Sequence, residues 1–121
     1  MVTNTSAVRQ ANVPEVAEAV EGGAALIDVR EPFEYQSGHV ARSRSLPMHL
    51  VPQRLDELTR DAGARPVYVI CRSGNRSWQV CHYLGVHGID AVNVAGGIEA
   101  WLAYGLPVTR ANDDVALGGA L

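Results

Sequence analysis

Hydrophobic and polar positions form two kinds of pattern along this 121-residue chain, short apolar runs and helical repeats, and the two kinds alternate. Short, continuous apolar runs are typical of strands that are buried on both faces of a parallel sheet with crossover helices. Helical patterns separate these runs, so the sequence predicts an α/β fold. The predicted strands are 7–11, 24–27, 45–47, 67–70 and 91–95.

Local signals mark where the helices begin and end. Asn12 and Glu15 have the spacing of a capping box, and glycines follow at 22 and 23. Pro32 suits the first turn of a second helix. The third pattern is amphipathic, with Leu55 and Leu58 on its apolar side. The predicted helices are 12–20, 31–37, 51–62, 77–88 and 98–104.

Size and composition narrow the function classes. We expect a single domain over 1–121, with flexible tails at 1–6 and 112–121. A net charge of −3 argues against nucleic-acid binding. No apolar run is long enough for a membrane span and no signal-peptide core begins the chain, so we expect a soluble, cytoplasmic protein. The two cysteines make neither a disulfide framework nor a zinc motif, and we expect no metal and no cofactor.

The stretch 67–77, with the sequence VYVICRSGNRS, carries the clearest chemistry. Cys71 ends the apolar strand, and a polar loop leads from it into the next helix. In such a loop, successive backbone N–H groups curl around the sulfur, and the helix start adds positive charge. Arg72 and Arg76 add fixed charge, so the loop favours a thiolate and attracts an anion. We therefore predict a reactive Cys71, open to solvent at the mouth of the loop.

The simpler interpretation of Cys71 is an inert buried thiol, the usual role of a lone cysteine after an apolar strand. The basic loop favours reactivity, because a purely structural thiol needs no such loop. Asp28 also ends a strand, so it should border the same edge of the sheet. The loop residues predicted to bind the substrate are Arg72, Ser73, Gly74, Asn75, Arg76 and Ser77.

Individual residues around the loop have narrower roles. Gly74 is expected to adopt a positive φ in a tight loop. The N–H of Ser77 belongs to the predicted binding loop, whereas its hydroxyl is expected to do no more than cap the following helix. Trp78 either lines the pocket mouth or covers the helix flank. Cys81 faces inward and is expected to be a core thiol, because the intervening loop and helix make a direct bridge to Cys71 improbable.

An ordered set of motifs over residues 7–108 resembles a rhodanese domain. The matching pieces are Asp28-Val29-Arg30, Glu31, Glu34, Gly38-His39-Val40, the 71–77 loop, and Gly96-Gly97 with Trp101. The resemblance implies a five-stranded parallel sheet flanked by helices on both faces. It also implies that Cys71 carries a persulfide, moving sulfane sulfur from thiosulfate to cyanide or a thiol. Finally, it suggests a structural charge set in which Arg30 pairs with Glu34 beside Asp28.

The sequence departs from the family after Val40, where Ala41-Arg42-Ser43 replaces the usual Pro-Gly-Ala. Arg42 must therefore avoid positive φ or accept strain of about 1 kcal/mol. Arg42 and Arg44 either extend the basic rim or are ordinary surface arginines.

Three competing functions remain at this point. A tyrosine-type phosphatase has five residues and then Arg after its cysteine, whereas Arg76 comes one position early here. A non-catalytic rhodanese-like module generally lacks the cysteine. A persulfide relay to a dedicated protein acceptor would use the same fold and the same residues.

Overall fold

The computed structural model describes residues 8–110, and strands and helices alternate along them. The strands are β1 (Arg9–Ala11), β2 (Leu26–Asp28), β3 (Arg44–Ser45), β4 (Val67–Ile70) and β5 (Ala91–Val94). The helices are α1 (Val13–Glu21), α2 (Pro32–Ser37), α3 (Leu55–Asp61), α4 (Asn75–Val86) and α5 (Gly97–Ala103), with a 3₁₀ helix over Met48–Arg54. The predicted tails, 1–6 and 112–121, lie outside the described residues.

The five strands form one sheet in the order β1-β5-β4-β2-β3, and every pair is parallel. The predicted five-stranded parallel sheet is therefore confirmed. Asp28 at the end of β2 is in register with Ile70 at the end of β4. Cys71 follows Ile70 directly, so Asp28 and Cys71 lie at the same edge, as predicted.

Neighbouring residues of a strand point to opposite faces of the sheet. Both faces carry apolar side chains, and helices cover both of them. In β4, Val69 belongs to one apolar core and Ile70 to the other. The first core packs the sheet against the 3₁₀ helix, α3 and α4, with Leu58 and Leu84 fully buried. The second packs it against α1 and α5, where Trp101 is buried. Burial on both faces explains why the central strands β2, β4 and β5 are mainly apolar.

Two predicted helix starts are wrong. The helix expected over 51–62 begins earlier, as the 3₁₀ helix, and becomes α-helical only at Leu55. Pro52 lies inside the 3₁₀ segment, and a proline in the interior of an α-helix would remove a hydrogen bond and clash with the preceding turn. Helix α4 begins at Asn75 rather than at Ser77, because Gly74 takes the capping position. The capping box of Asn12 and Glu15 is confirmed.

The turn around Arg42 forms without strain. Among the described residues, only glycines have positive φ, so Arg42 adopts an ordinary backbone conformation. Ser43 is buried, and both its backbone N–H and its hydroxyl donate to the carbonyl of Val40. The hydroxyl bond helps to fix a turn that has arginine rather than glycine at position 42. Within residues 8–110, no helix is long and apolar enough to cross a membrane.

Candidate active site

A short loop, 71–74, connects the end of β4 to α4, and together with the first turn of α4 it encloses the sulfur of Cys71. Its sharp bend lies at Gly74, where φ is 108°. A side chain is strained in that conformation, so the predicted reason for glycine is confirmed. A second glycine, Gly97, packs directly against the backbone of the loop. A Cβ atom on Gly97 would lie 2.4 Å from the carbonyl oxygen of Cys71, so only glycine allows this close approach.

The start of α5 holds the first part of the loop in place. The N–H of Ile98 donates to the carbonyl of Cys71 at 2.9 Å, and the N–H of Glu99 donates to that of Arg72 at 3.0 Å. Trp101 anchors α5 in the core and donates its indole N–H to the carbonyl of Pro107. The first residues of α5 thus position the loop through backbone hydrogen bonds, and Gly97 allows the close approach that these bonds require.

Three groups lie within hydrogen-bond distance of the Cys71 sulfur. The N–H of Gly74 donates to Sγ at 3.1 Å, the N–H of Ser77 donates at 3.3 Å, and Ser77 Oγ lies 3.2 Å away. Burial is the largest single influence on the pKa of Cys71 and raises it. The Ser77 hydroxyl and the N–H groups of Ser77, Gly74 and Ser73 together outweigh burial, so the pKa of Cys71 is lowered.

The sulfur is less open than the sequence suggests. We expected a thiol exposed at the mouth of the loop, but only 1% of Cys71 is exposed. The physical reason is that the loop amides that stabilise a thiolate also curl over it. Any molecule that reacts with Sγ must therefore reach it through this ring of amides, or after the loop has moved.

Ser77 does not cap α4. It lies inside the first turn, fully buried, and its hydroxyl donates to Asn93 Oδ1 at 2.5 Å while also lying beside Cys71. Asn93 was missed by the sequence analysis, although a signal exists. It is the only polar residue in the apolar run 91–95, and a buried amide is costly unless it is hydrogen-bonded.

Arg72 in the loop and Arg76 in the first turn of α4 are both paired with glutamates. Arg76 and Glu34 form a bidentate pair, with N···O distances of 2.8 and 3.1 Å. Arg72 Nε donates to Glu99 at 3.1 Å, and both of these side chains are more than half exposed. The positive charge predicted beside the sulfur is therefore shared with two carboxylates, although attraction to Cys71 still contributes to raising the pKa of Arg76. The groups that lower the pKa of Cys71 are the loop amides and a hydroxyl.

Asp28 and Arg30 form a buried ion pair at the edge of the sheet. Arg30 donates Nε and Nη2 to the Asp28 carboxylate, with the shortest contact at 2.8 Å, and also donates Nη2 to the carbonyl of Gly38. The side chains of Arg30 and Asp28 are 7% and 0% exposed. The predicted pairing of Arg30 with Glu34 is wrong, because Glu34 binds Arg76 instead. Arg30 nevertheless ties the segment together, since Gly38 follows α2.

Glu34 gives the first testable prediction. The hydrogen bond from Arg76 is the main cause that lowers the pKa of Glu34 from 4.5 to about 2, against the opposing effect of burial. The pair therefore stabilises the fold above about pH 4.5, and this contribution is lost as the pH falls towards 2. We expect Glu34→Gln to lower the free energy of unfolding at pH 7 by about 1 kcal/mol, because Arg76 is partly exposed to solvent.

Urea unfolding of both proteins at several pH values measures this contribution. The difference between wild type and Glu34→Gln should shrink as the pH falls from 5 to 2. Glu99→Gln is the matched control, since its exposed pair with Arg72 should change stability little. A difference that stays constant with pH would show that the Glu34 charge does not stabilise the fold.

The remaining candidate residues lie away from the sulfur or inside the core. Arg44 pairs with Asp61 and Glu57 instead of facing the loop, whereas Arg42 is exposed. Cys81 is 4% exposed, and burial raises its pKa to about 12, which fits the predicted core thiol. Trp78 stacks on His82 along the flank of α4, with parallel rings 5.6 Å apart. Across residues 8–110, no cluster of His, Cys, Asp or Glu is placed to bind a metal ion.

Known proteins are similar to this chain in sequence and in fold. Residues 12–104 match the family described as the rhodanese-like domain. A protein named sulfurtransferase from Allochromatium vinosum is 45% identical over 84 residues, covering 69% of this chain and 76% of its own length. The thiosulfate sulfurtransferase GlpE of Pseudomonas syringae pv. syringae is 38% identical over 90 residues, covering 73% and 82%. The crystal structure of a rhodanese-related protein from Thermoplasma volcanium superposes with a TM-score of 0.74 at 34% identity, covering 84% of this chain and 97% of that one.

Proposed function

The chain belongs to the family of rhodanese-like domains, and from that premise we propose that it carries sulfane sulfur as a persulfide on Cys71. Its relatives support sulfurtransferase activity. We propose a small anionic donor, with thiosulfate as the test case, and a thiol or cyanide as the acceptor. The observation that carries the proposal is the ring of donors around one sulfur, formed by the N–H groups of Gly74 and Ser77 and the Ser77 hydroxyl.

The reaction is a double displacement. The Cys71 thiolate attacks the outer sulfur of thiosulfate, a new S–S bond forms, and the old S–S bond breaks as sulfite leaves with its electron pair. The acceptor then attacks the terminal sulfur of the persulfide and expels the Cys71 thiolate. A general base is unnecessary where the thiolate already exists at neutral pH. The amides that hold the thiolate can also hold charge on the terminal sulfur, as an oxyanion hole holds oxygen.

Arg72 and Arg76 can help to bind the sulfur donor only if each exchanges its glutamate partner for the donor. A sulfonate-like donor can bind a guanidinium by charge-assisted hydrogen bonds, but each guanidinium already has a carboxylate partner. The Arg72 pair is a single exposed contact and is weak. The Arg76 pair is bidentate and less exposed. We therefore propose Arg72 as the first guanidinium that the donor meets, with the exchange at Arg76 as the more costly step.

Single-turnover chemistry tests the proposed function. Protein mixed with thiosulfate alone should release one sulfite per chain, and later addition of cyanide should release one thiocyanate per chain. Steady-state rates at several concentrations of both substrates should give the parallel double-reciprocal lines of a double displacement. Sulfite release that requires the acceptor to be present would contradict a persulfide intermediate. Aryl phosphate serves as a control substrate, and we expect no turnover of it.

A second prediction concerns the charge state of Cys71. Since the pKa of Cys71 is lowered in the folded protein, its thiolate should form below about pH 8.5, the ordinary value of a free thiol. The folded state is then increasingly stabilised as the pH rises from the lowered pKa to the ordinary one. The ultraviolet absorbance of the thiolate, measured against Cys71→Ser, reports this step without requiring a reagent to reach the sulfur. A midpoint at or above about 8.5 would exclude a preformed thiolate at neutral pH.

A further inference from the structure

A line of polar side chains runs from Cys71 across the sheet to β1. Cys71 Sγ lies 3.2 Å from Ser77 Oγ, Ser77 donates its hydroxyl to Asn93 Oδ1 at 2.5 Å, and Asn93 Nδ2 donates to Gln10 Oε1 at 3.1 Å. Ser77 and Asn93 are 0% and 1% exposed. Because these two side chains are cut off from water, each must satisfy its hydrogen bonds with other groups of the protein.

The backbone fixes the orientation of the Asn93 amide. Asn93 Nδ2 also donates to the carbonyl of Gly74 at 3.2 Å. A carbonyl can only accept a hydrogen bond, so the amide nitrogen must face Gly74 and the amide oxygen must face Ser77. Asn93 therefore offers Ser77 an acceptor and never a donor.

Ser77 has one hydroxyl proton and two groups that compete for it. A hydroxyl donates one hydrogen bond, and here Asn93 Oδ1 lies at 2.5 Å while Cys71 Sγ lies at 3.2 Å. When Cys71 is a neutral thiol, its S–H can donate to Ser77 Oγ while Ser77 donates to Asn93. When Cys71 is a thiolate, Ser77 can donate to the sulfur only by leaving the Asn93 oxygen without a partner.

We propose that Asn93 is a positioning residue that competes with the Cys71 thiolate for the hydroxyl proton of Ser77. The N–H groups of Gly74 and Ser77 are always directed at the sulfur, whereas the Ser77 hydroxyl turns to it only when the sulfur carries charge. Charge on Sγ disappears as the persulfide forms and reappears as the thiolate is expelled. Asn93 thereby influences how well the Cys71 thiolate acts as the nucleophile in the first step and as the leaving group in the second. A less basic thiolate leaves faster and attacks more slowly.

A double-mutant cycle between Asn93 and Ser77 tests the competition. Asn93→Ala removes the competing acceptor, so the thiolate gains a free hydroxyl donor and its midpoint should fall by about one pH unit. The same substitution in a Ser77→Ala background should produce little shift, because no hydroxyl remains to be released. Thiolate absorbance against the matching Cys71→Ser variants gives each midpoint. Gln10→Ala is the control and should leave the midpoint unchanged, because the Gly74 carbonyl still orients the Asn93 amide.

The expected result is a shift in the Ser77 protein that is absent without the Ser77 hydroxyl. Equal shifts in both backgrounds, or no shift in either, would overturn the proposal. If Asn93→Ala fails to fold, Asn93→Asp can take its place in the cycle, and the midpoint of the Cys71 thiolate should then rise instead of fall. A carboxylate accepts more strongly than an amide, so the rise in midpoint should be larger when the Ser77 hydroxyl is present than in the Ser77→Ala background. Equal rises would overturn it.

This inference deepens the proposed function, because it concerns the thiol assigned there, but its test is independent of sulfur transfer. Absorbance reports the charge on Sγ whether or not any donor reacts. Failure of the cycle with normal sulfite release would reject the role of Asn93 alone. A successful cycle without sulfite release would reject the sulfurtransferase proposal and leave the hydrogen-bond competition standing.

Discussion

A Cys71→Ser variant is expected to lose at least about a thousandfold in sulfane-sulfur transfer, while keeping its fold. The serine hydroxyl is not ionised at neutral pH and cannot form the persulfide. The substitution is close in size, and the N–H groups of Gly74 and Ser77 keep an acceptor within the loop. Turnover of thiosulfate with cyanide measures the loss, and circular dichroism with thermal unfolding checks the fold.

Cys81→Ala is the matched control for this experiment. Cys81 is also a buried thiol, but it lies in the apolar core between α4 and the sheet. We expect this variant to lose some stability through the small cavity it creates and to retain its turnover per folded molecule. If Cys71→Ser kept full turnover, another group would carry the sulfur, and the account of the site would be wrong.

Arg30→Ala is expected to have the largest effect on stability, lowering the free energy of unfolding by about 3–5 kcal/mol. The substitution leaves the Asp28 carboxylate fully buried without its cationic partner and removes the donor to the Gly38 carbonyl. Urea unfolding at neutral pH measures the change. Arg9→Ala is the control, because Arg9 and Asp90 form an exposed pair that should contribute no more than about 1 kcal/mol.

A second substitution separates the buried charge from the loss of packing. Asp28→Asn in the Arg30→Ala background removes the unpaired charge but keeps an oxygen acceptor for the backbone N–H at position 30, so it should restore part of the stability. Turnover per folded molecule should remain measurable in both variants. A well-folded Arg30→Ala protein without any turnover would instead place Arg30 in the chemistry.

The fold could be predicted from sequence because its signals are local. Apolar runs identified the central strands β2, β4 and β5, and the Asn12 capping box identified the first helix. The position of Cys71 after such a strand, followed by Gly74, was enough to predict a bend around the sulfur. The resemblance to the rhodanese family then supplied the number of strands, which the sheet confirms.

The charge pairs could not be predicted in the same way, because they join distant parts of the chain. Glu34 and Arg76 are 42 residues apart, and whether Glu34 meets Arg76 or Arg30 depends on how α2 lies against the loop. The role of Ser77 was likewise hidden. A serine near a helix start suggests a cap, and only the packing of β5 beside α4 brings Asn93 to its hydroxyl.

The measurement that tests the central claim most directly is the intact mass of the protein after incubation with thiosulfate. The account predicts a gain of one sulfur atom per chain, located on the peptide that contains Cys71 and removed by cyanide. Because Cys71 is almost completely enclosed, this gain also requires that the loop admit the donor. An unchanged mass in a well-folded protein, or an added sulfur that persists in Cys71→Ser, would contradict the account.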